Sequence, residues 1–425
     1  MSIQMIALLL YLLIVFNAIN CRQLSYVQNP DCDEYNSCKQ WTNKTTDKLI
    51  DITYKDTKDS IHYLWSSVSS LSPTLLIFKT THNTTVGINW DSFLDKNKFK
   101  PFLNINSEPL FGLGFQFNRL FFFNDISQSG HYIEGDPIAE INWNQFNWSQ
   151  VVTPKDVKDS MSVISANADN CKIFNGTVSF NLRVRSSDGR NDELPQLTYT
   201  ESSVSLDLNV IDVDLKNHKN FTGDKYFPRL MASISVVTLN GTKSATKLSK
   251  TTTIDDEYTP GVFDRIHLDL DSTKDRKLDQ NERQGFIQWK PIAYNNDEKI
   301  IANTLDVIAS DVQKGNNNSK IDNRLIETFV YNKDFSLFEF NLTFGANDDT
   351  SYYDKSKYNS YSLVIGLGSA PEESLSLLVQ MIILVGFGLP VLVMIGSSAY
   401  LIYRRIKKRK IDNLLLNQST DNINQ

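Results

Sequence analysis

The sequence predicts a mainly β protein, antiparallel sheets packed as a sandwich, followed by a single transmembrane α-helix. Three observations carry this. Short apolar and β-branched runs recur with period two, most clearly from Thr177 to Arg185, where Val178, Phe180, Leu182 and Val184 alternate with Ser179, Asn181, Arg183 and Arg185. Leu375 to Tyr403 is a run of 29 residues without a charged side chain, followed by six cations in the seven positions 404 to 410. Helical periodicity is scarce elsewhere: Leu305, Ile308, Ala309 and Val312 mark one short amphipathic helix before the span.

Taken in order, residues 1–21 read as a signal peptide. Ile6 to Phe16 is an apolar run of 11 residues, too short to span comfortably, followed by the small Ala18 and a polar change at Asn20 to Gln23. Tyr26 to Asp59 is polar and turn-rich, which predicts a loosely held N-terminal arm. From Ile61 the pattern becomes strand-like: Ile61 to Ser67, Thr74 to Thr80 and Thr85 to Trp90 are short apolar runs separated by turn residues. Phe111 to Phe123 alternates at Leu113, Phe115 and Phe117 and then becomes continuously aromatic, as a strand buried on both faces would. Ser203 to Val213, Met231 to Leu239 and Phe338 to Phe344 repeat the alternation of Thr177 to Arg185. The segments 186–196 and 313–324 read as exposed loops. The first leaves open a division of the lumenal region, 22–373, into two packed sub-domains near 186–196.

The span, 374–403, exceeds the roughly 20 residues needed to cross about 30 Å of hydrocarbon, so it can tilt. Lys and Arg beside a span are retained in the cytoplasm, so the sequence predicts a type I protein with a cytosolic tail at 404–425. The formal net charge is −6, but residues 404 to 425 carry six cations against Asp412 and Asp421, leaving about −10 on the rest. A lumenal face that acidic argues against binding nucleic acid or anionic lipid heads.

Eight N-x-Ser/Thr acceptors precede the span, at Asn43, Asn83, Asn147, Asn175, Asn220, Asn240, Asn317 and Asn341. Asn341 shares the polar face of its strand with Glu339 and Thr343, so a glycan there would point to solvent. Four cysteines, Cys21, Cys32, Cys38 and Cys171, are too few for a disulfide framework; Cys32 with Cys38 closes a short loop that an oxidising compartment favours. No zinc spacing occurs, and no cofactor is expected.

The chemistry-bearing motifs are sparse. His62, His82, His131, His218 and His267 show no metal spacing, and neither G-x-S-x-G nor a phosphate loop is present. Asp255, Asp256 and Glu257 could supply paired carboxylates to a lumenal hydrolase, although an acid triplet beside a turn is ordinarily solvated surface. Asp271 to Glu282 places Asp, Thr, Asp, Asp and Glu at calcium-loop positions, but Arg276 stands where the sharp turn needs glycine. In the span, Gly386, Gly388, Gly396 and Ser397 form small-residue faces that would let a second helix approach. In the tail, Asp412, Leu415 and Leu416 fit the acidic-dileucine signal D-x-x-L-L that clathrin-type sorting adaptors read on an extended peptide. Tyr403 starts a Y-x-x-Φ pattern too close to the membrane to be reached and reads as an interfacial anchor.

Four stretches, in this order and spacing, resemble the glycosylated lysosomal membrane protein family: IHYLWSS with the later GINW (Gly87 to Trp90), TIDDEYTPGVF (Thr253 to Phe263), GFIQWKPIAY (Gly285 to Tyr294) and FNLTFGA (Phe340 to Ala346). The signal peptide, late span and short tail agree with it. The resemblance implies a heavily glycosylated lumenal β domain in the lysosomal membrane, acting as accessory subunit of a major facilitator superfamily transporter that exports dipeptides and shielding it from lysosomal proteases. The calcium-like loop falls between two matched stretches, as an insertion would. The tail departs from animal members in lacking a terminal tyrosine signal, and the cysteine pattern departs as well. Two other readings fit the β architecture alone: the lumenal hydrolase, and a cell-surface adhesion or ligand-binding receptor.

Overall fold

The computed structural model describes residues 23–421 apart from 46, 67–71, 96, 128–131, 134–137, 142, 144–146, 150–152, 157–159, 163–164, 168–175, 186, 213–226, 240–246, 255–261, 272–283, 297, 306–320, 322, 345–355 and 372–375. Two antiparallel sheets dominate it. The first has eight strands, in the order Gln23–Gln28, Leu49–Lys55, Asp59–Ser66, Thr74–Thr81, Phe111–Asn124, Pro228–Leu239, Phe335–Phe344, with Ile138–Ile141 also paired to Phe111–Asn124. The second has nine, in the order Lys247–Ile254, Val262–Asp271, Gln284–Tyr294, Tyr358–Leu367, Ser203–Ile211, Thr177–Val184, Ser165–Asn167, Asn147–Ser149, with Thr304–Leu305 paired to Gln284–Tyr294.

The period-two pattern does what a pleat requires. Val178, Phe180, Leu182 and Val184 meet Ile50, Tyr63, Trp65, Phe115 and Phe117 of the first sheet in one core between the sheets. Phe180 is its aromatic hub: its ring centroid lies 5.3 Å from Trp65, 5.2 Å from Phe117 and 6.0 Å from Trp143. The aromatic run of Phe111–Asn124 resolves into two phases. A bulge at Asn118, opposite Ser233 and Ile234, shifts the register, so Leu113, Phe115 and Phe117 point inward before it and Leu120 and Phe122 after it. Phe121 and Phe123 therefore turn outward, where they pack with Met231 under Tyr132. One extra residue buries the strand on both faces.

Strands of the two sheets interleave along the chain. Pro228–Leu239 and Phe335–Phe344 return to the first sheet after the chain has entered the second, and 186–196 lies between Thr177–Val184 and Ser203–Ile211, which pair directly. A cut there would divide a ladder, and the described residues up to Pro371 form one compact unit. A second unit, Glu372–Gln425, holds the span.

Several local expectations are corrected. The stretch from Tyr26 to Asp59 is no loose arm: Leu49–Lys55 pairs on both sides and inserts Ile50, Ile52 and Tyr54 into the core. Its alternation was masked by the outward polar residues Asp51 and Thr53, which are buried too. Only Val86–Ile88 of Thr85 to Trp90 is strand, because the Asn89 side chain accepts a bond from the Ser92 N–H at 3.0 Å and starts the helix Trp90–Leu94. Leu305 lies in a two-residue strand, and the remainder of that predicted helix falls outside the described residues. Nor does the exposed loop extend to residue 324: Asn323 is buried and caps the helix Arg324–Phe329, its side chain accepting from the N–H groups of Leu325 and Ile326. That helix packs Leu325, Ile326 and Phe329 on the outer face of the first sheet, beside Trp90, Phe93 and Phe102.

In the second unit the helix runs Leu377–Ile383, widens to π geometry over Leu384–Gly388 and continues as Leu389–Asp421. The widening has a cause in the sequence, since the ring of Pro390 would clash with the carbonyl of residue 386 in an unbroken α-helix. Leu377–Ile411 is long and apolar enough to cross a membrane.

Candidate functional site

Strand alternation that sends Val204, Leu206, Leu208 and Val210 inward sends Ser205, Asp207 and Asn209 to the outer face of the second sheet. Across the ladder these fall into polar rows, Ser179 with Asn209 and Ser360, and Asn181 with Asp207, Ser362 and Lys290. An outer face of this kind is ordinarily wet. Here it is covered, for Asp207, Asn209, Lys290, Ser360 and Ser362 are all buried.

The cover is tied down by charge. Arg183 donates to Asp207 Oδ2 at 3.1 Å and to Glu193 Oε2 at 2.9 Å, so it clamps the 191–197 segment onto the sheet. Lys299 reaches the same Glu193 carboxylate at 3.9 Å and sits 4.5 Å over the ring of Tyr358. Arg185 stacks 4.1 Å over Tyr199 and donates to Ser205 Oγ, which in turn donates to Asn191. Asn209 links Ser360 at 2.7 Å to Ser179 at 3.1 Å. Burial pushes the Asp207 carboxyl above the usual carboxylate range, although the Arg183 guanidinium and a bond from Ser362 pull the other way. Burial, and then the charges of Asp207 and Glu193, push the Tyr294 and Tyr358 phenols up as well. This constellation can take up or release a proton. Its evident work is to hold the 191–197 segment on the sheet.

A second buried polar group lies under the outer layer of the first sheet. Thr53 Oγ1 donates to Asp51 and lies 3.1 Å from His62 Nδ1, while the His62 ring stacks 4.9 Å from Phe78. His62 is 1% exposed, so this Asp, Thr and His set lies within the packed layer; Nδ1 is partnered by Thr53, whereas Nε2 has no hydrogen-bond partner. Exposed His82 bonds the Asp56 carbonyl. His131, His218, Asp255, Asp256, Glu257 and all of the calcium-like loop after Asp271 fall outside the described residues, and among those described no cluster of three or more His, Cys, Asp or Glu could hold a metal ion.

The glycan acceptors that are described lie on the periphery. Asn43 is exposed at the end of the helix Asn36–Thr42, and Asn83 is exposed in a turn with φ of 63°, a left-handed conformation that asparagine tolerates. Asn341 is half-buried on the outer face of Phe335–Phe344, and the Asn147 backbone lies in the terminal strand of the second sheet as described. Asn175, Asn220, Asn240 and Asn317 fall outside the described residues, as do Cys21 and Cys171. Cys32 and Cys38 form a disulfide that joins a 3-10 turn to the helix Asn36–Thr42.

The tail signal takes a form the sequence reading did not anticipate. Asp412, Leu415 and Leu416 belong to the helix Leu389–Asp421 rather than to an extended peptide. No Gly or Pro interrupts residues 397–421, and Leu, Lys and Arg are good helix formers. The Arg183, Asp207 and Glu193 clamp was also missed. Its only sequence signal is opposite charge on the polar faces of two alternating strands.

Against known proteins, the family model described as Glycosylated lysosomal membrane protein matches residues 48–408. Similar relatives include the Glycosylated lysosomal membrane proteins of Bos taurus and Homo sapiens, each 25% identical over 365 residues and covering 84% of both chains. Glycosylated lysosomal membrane protein A of Xenopus laevis is 26% identical over 354 residues, covering 80% of this chain and 82% of its own.

Proposed function

This chain belongs to the glycosylated lysosomal membrane protein family, and on that premise we propose that it is a non-catalytic accessory subunit of a lysosomal major facilitator superfamily transporter, which it stabilises and shields from proteolysis. The observation that carries the reading is the pairing of a closed β unit with one bare apolar helix. In Leu377–Ile411, side chains such as Leu378, Phe387 and Leu392 are more than half exposed. Such a surface needs lipid or a second membrane helix, and Gly386, Gly388 and Gly396 have no heavy atom within 4 Å of an added Cβ. In this proposal residues 1–21 are a cleaved signal peptide, the β unit is lumenal and glycosylated at the eight acceptors, and the tail is cytosolic. Sugars and interlocked sheets then keep proteases from a partner's lumenal loops, where nicking concentrates.

Affinity purification of the tagged full-length chain in mild detergent, with mass spectrometry of co-purifying membrane proteins, tests this reading. One abundant major facilitator transporter is expected, with its level reduced several-fold when this chain is deleted. Absence of any enriched multispan protein would reject the accessory role. In the tail, where the helix around Asp412 must unwind for an adaptor to read it as an extended peptide, changing Leu415 and Leu416 to alanine is expected to abolish adaptor binding and move most of the chain to the cell surface, as surface biotinylation would read. Unchanged lysosomal residence would remove the dileucine from the account.

A further inference from the structure

Val86–Ile88 pairs antiparallel with Leu103–Ile105 as a separate two-stranded sheet, Ile88 opposite Leu103 and Val86 opposite Ile105. The bonds just outside it fix the phase of the ladder: the Asn89 N–H donates to the Phe102 carbonyl at 2.8 Å and the Asn106 N–H to the Thr85 carbonyl at 3.4 Å. Successive residues of a strand turn their main-chain groups to opposite sides, so Phe102, Asn104 and Asn106 bond toward Val86–Ile88 while Leu103 and Ile105 present theirs outward. The partner strand agrees, since the Ile88 N–H also points away from the ladder and donates to Asp31 Oδ2 at 3.0 Å. Asp31 thus caps one edge. On the other edge, among the described residues, the N–H and C=O groups of Leu103 and Ile105 make no bond.

Leu103 and Ile105 also line a groove of about 380 Å3, which the end of the helix Arg324–Phe329 and the turn after it line as well. Pro109 and Phe329 add to its apolar surface, and so does Tyr331, which is 46% exposed and lies against Phe99 with ring centroids 5.9 Å apart. Two polar groups in it lack a partner of their own kind. Thr328 is 6% exposed, yet its Oγ1 has no hydrogen-bond partner. The Lys333 ammonium donates to the Phe329 carbonyl at 3.1 Å and lies 5.4 Å from the centroid of that ring. It makes no ion pair among the described residues, although Glu108 is near enough for its charge to act on it. Burial lowers the Lys333 pKa, so a carboxylate brought beside it would stabilise a partly desolvated cation. Both walls belong to stretches, 97–127 and 323–344, that are described without a break.

We propose that this groove binds an extended peptide of a partner protein, which adds as a third strand beside Leu103–Ile105, packs an apolar side chain against Ile105 and Phe329 and sets a carboxylate on Lys333. Main-chain bonds to Leu103 and Ile105 supply affinity without regard to sequence, and the groove supplies the selection. Side chains two positions apart in a strand share a face, so the segment that fits has an apolar residue and an acid at that spacing. Pro101 and Pro109 have no N–H to donate and stand at either end of this edge, which confines pairing to the few residues between them. Thr328 Oγ1 is placed to gain a partner from the same occupant. The groove would serve any protein that carries such a segment and does not depend on the transporter reading; on that reading the segment is one of the transporter's lumenal loops.

The test is selection of random peptides displayed on phage against the tagged full-length chain held in mild detergent, followed by fluorescence anisotropy with synthetic copies of the enriched sequences. Enriched peptides are expected to share an apolar residue and an acid two positions apart. Lys333→Glu, or Lys333→Gln if the charge reversal prevents folding, is expected to weaken their binding at least about tenfold. N-methylation along the peptide should act in alternation. A methyl on a residue whose N–H meets the Leu103 or Ile105 carbonyl should abolish binding, and a methyl on the residue between should leave it within about threefold. That scan alters only the peptide, so it decides the case even where a variant chain does not fold. No enriched sequence, or enriched peptides indifferent both to Lys333 and to the methylation pattern, would overturn the proposal. Self-association of the chain that is lost in Ile105→Pro, with no peptide enriched, would assign the edge to a second copy and overturn it as well.

Discussion

Replacing Phe180 with alanine is expected to lower the unfolding free energy of the β unit by about 3–5 kcal/mol, the cost of emptying a large aromatic site that cannot collapse. Phe180 comes from the second sheet, and its three ring neighbours Trp65, Phe117 and Trp143 come with the first sheet and the segment after Ile138–Ile141. The cavity would therefore open at the seam that holds the sandwich together. Chemical unfolding of the full-length chain in detergent, followed by tryptophan fluorescence, measures the change. Phe180→Leu, which refills part of the volume, should recover roughly half of the loss. A loss of under about 1 kcal/mol for alanine would mean that the sheets are not joined through this cluster.

The second large effect concerns the clamp on the outer face of the second sheet. Asp207→Ala leaves partly buried Arg183 and buried Ser362 short of a partner, and is expected to cost about 2–3 kcal/mol near neutral pH, with Glu193 retaining part of the Arg183 charge. Its pH dependence has a definite sign. Burial raises the Asp207 carboxyl in the folded chain above the ordinary value of about 4. Between those values the folded state holds a proton that the unfolded state has lost, so stability falls as pH rises. The contribution is fully present below the ordinary value and is lost as pH climbs through the raised one. Relative to Asp207→Asn, which keeps the shape and cannot titrate, the unmodified chain should therefore gain stability on acidification, as an acidic compartment would favour. Parallel unfolding curves of the two chains at pH 5 and pH 7 would check it, and a difference that does not change with pH would remove Asp207 from the titration.

Sequence and structure agree where the physics is local. Inward residues of Thr177–Val184, Ser203–Ile211 and Phe335–Phe344 follow from alternation alone, because a pleat sends successive side chains to opposite faces. The span follows from an uncharged stretch longer than the bilayer core, and the resemblance that names the family follows from short aromatic motifs in order. Of the candidate sites, acceptor asparagines and the Cys32–Cys38 pair were legible as residue types at a spacing. Less was legible where polar residues occupy covered positions. Asp51 and Thr53 made Leu49–Lys55 look like a surface arm, although both are buried, and Asn323 looked like loop until its side chain was seen capping a helix and donating to Thr74 at 2.8 Å, 249 residues away.

By itself, then, the sequence determined the strand class, the inward faces, the membrane helix with its flanking cations, and the family. Tertiary structure decided which outward faces are roofed and by what. It set the phase change at Asn118, the interleaving that makes one unit of two sheets, and the burial of Asp207 beside Arg183, which ties down the 191–197 segment. The division has a physical reason. Periodicity is written into neighbouring residues by backbone geometry, whereas burial of a polar face depends on which distant segment comes to lie over it, and no window of the chain contains both partners.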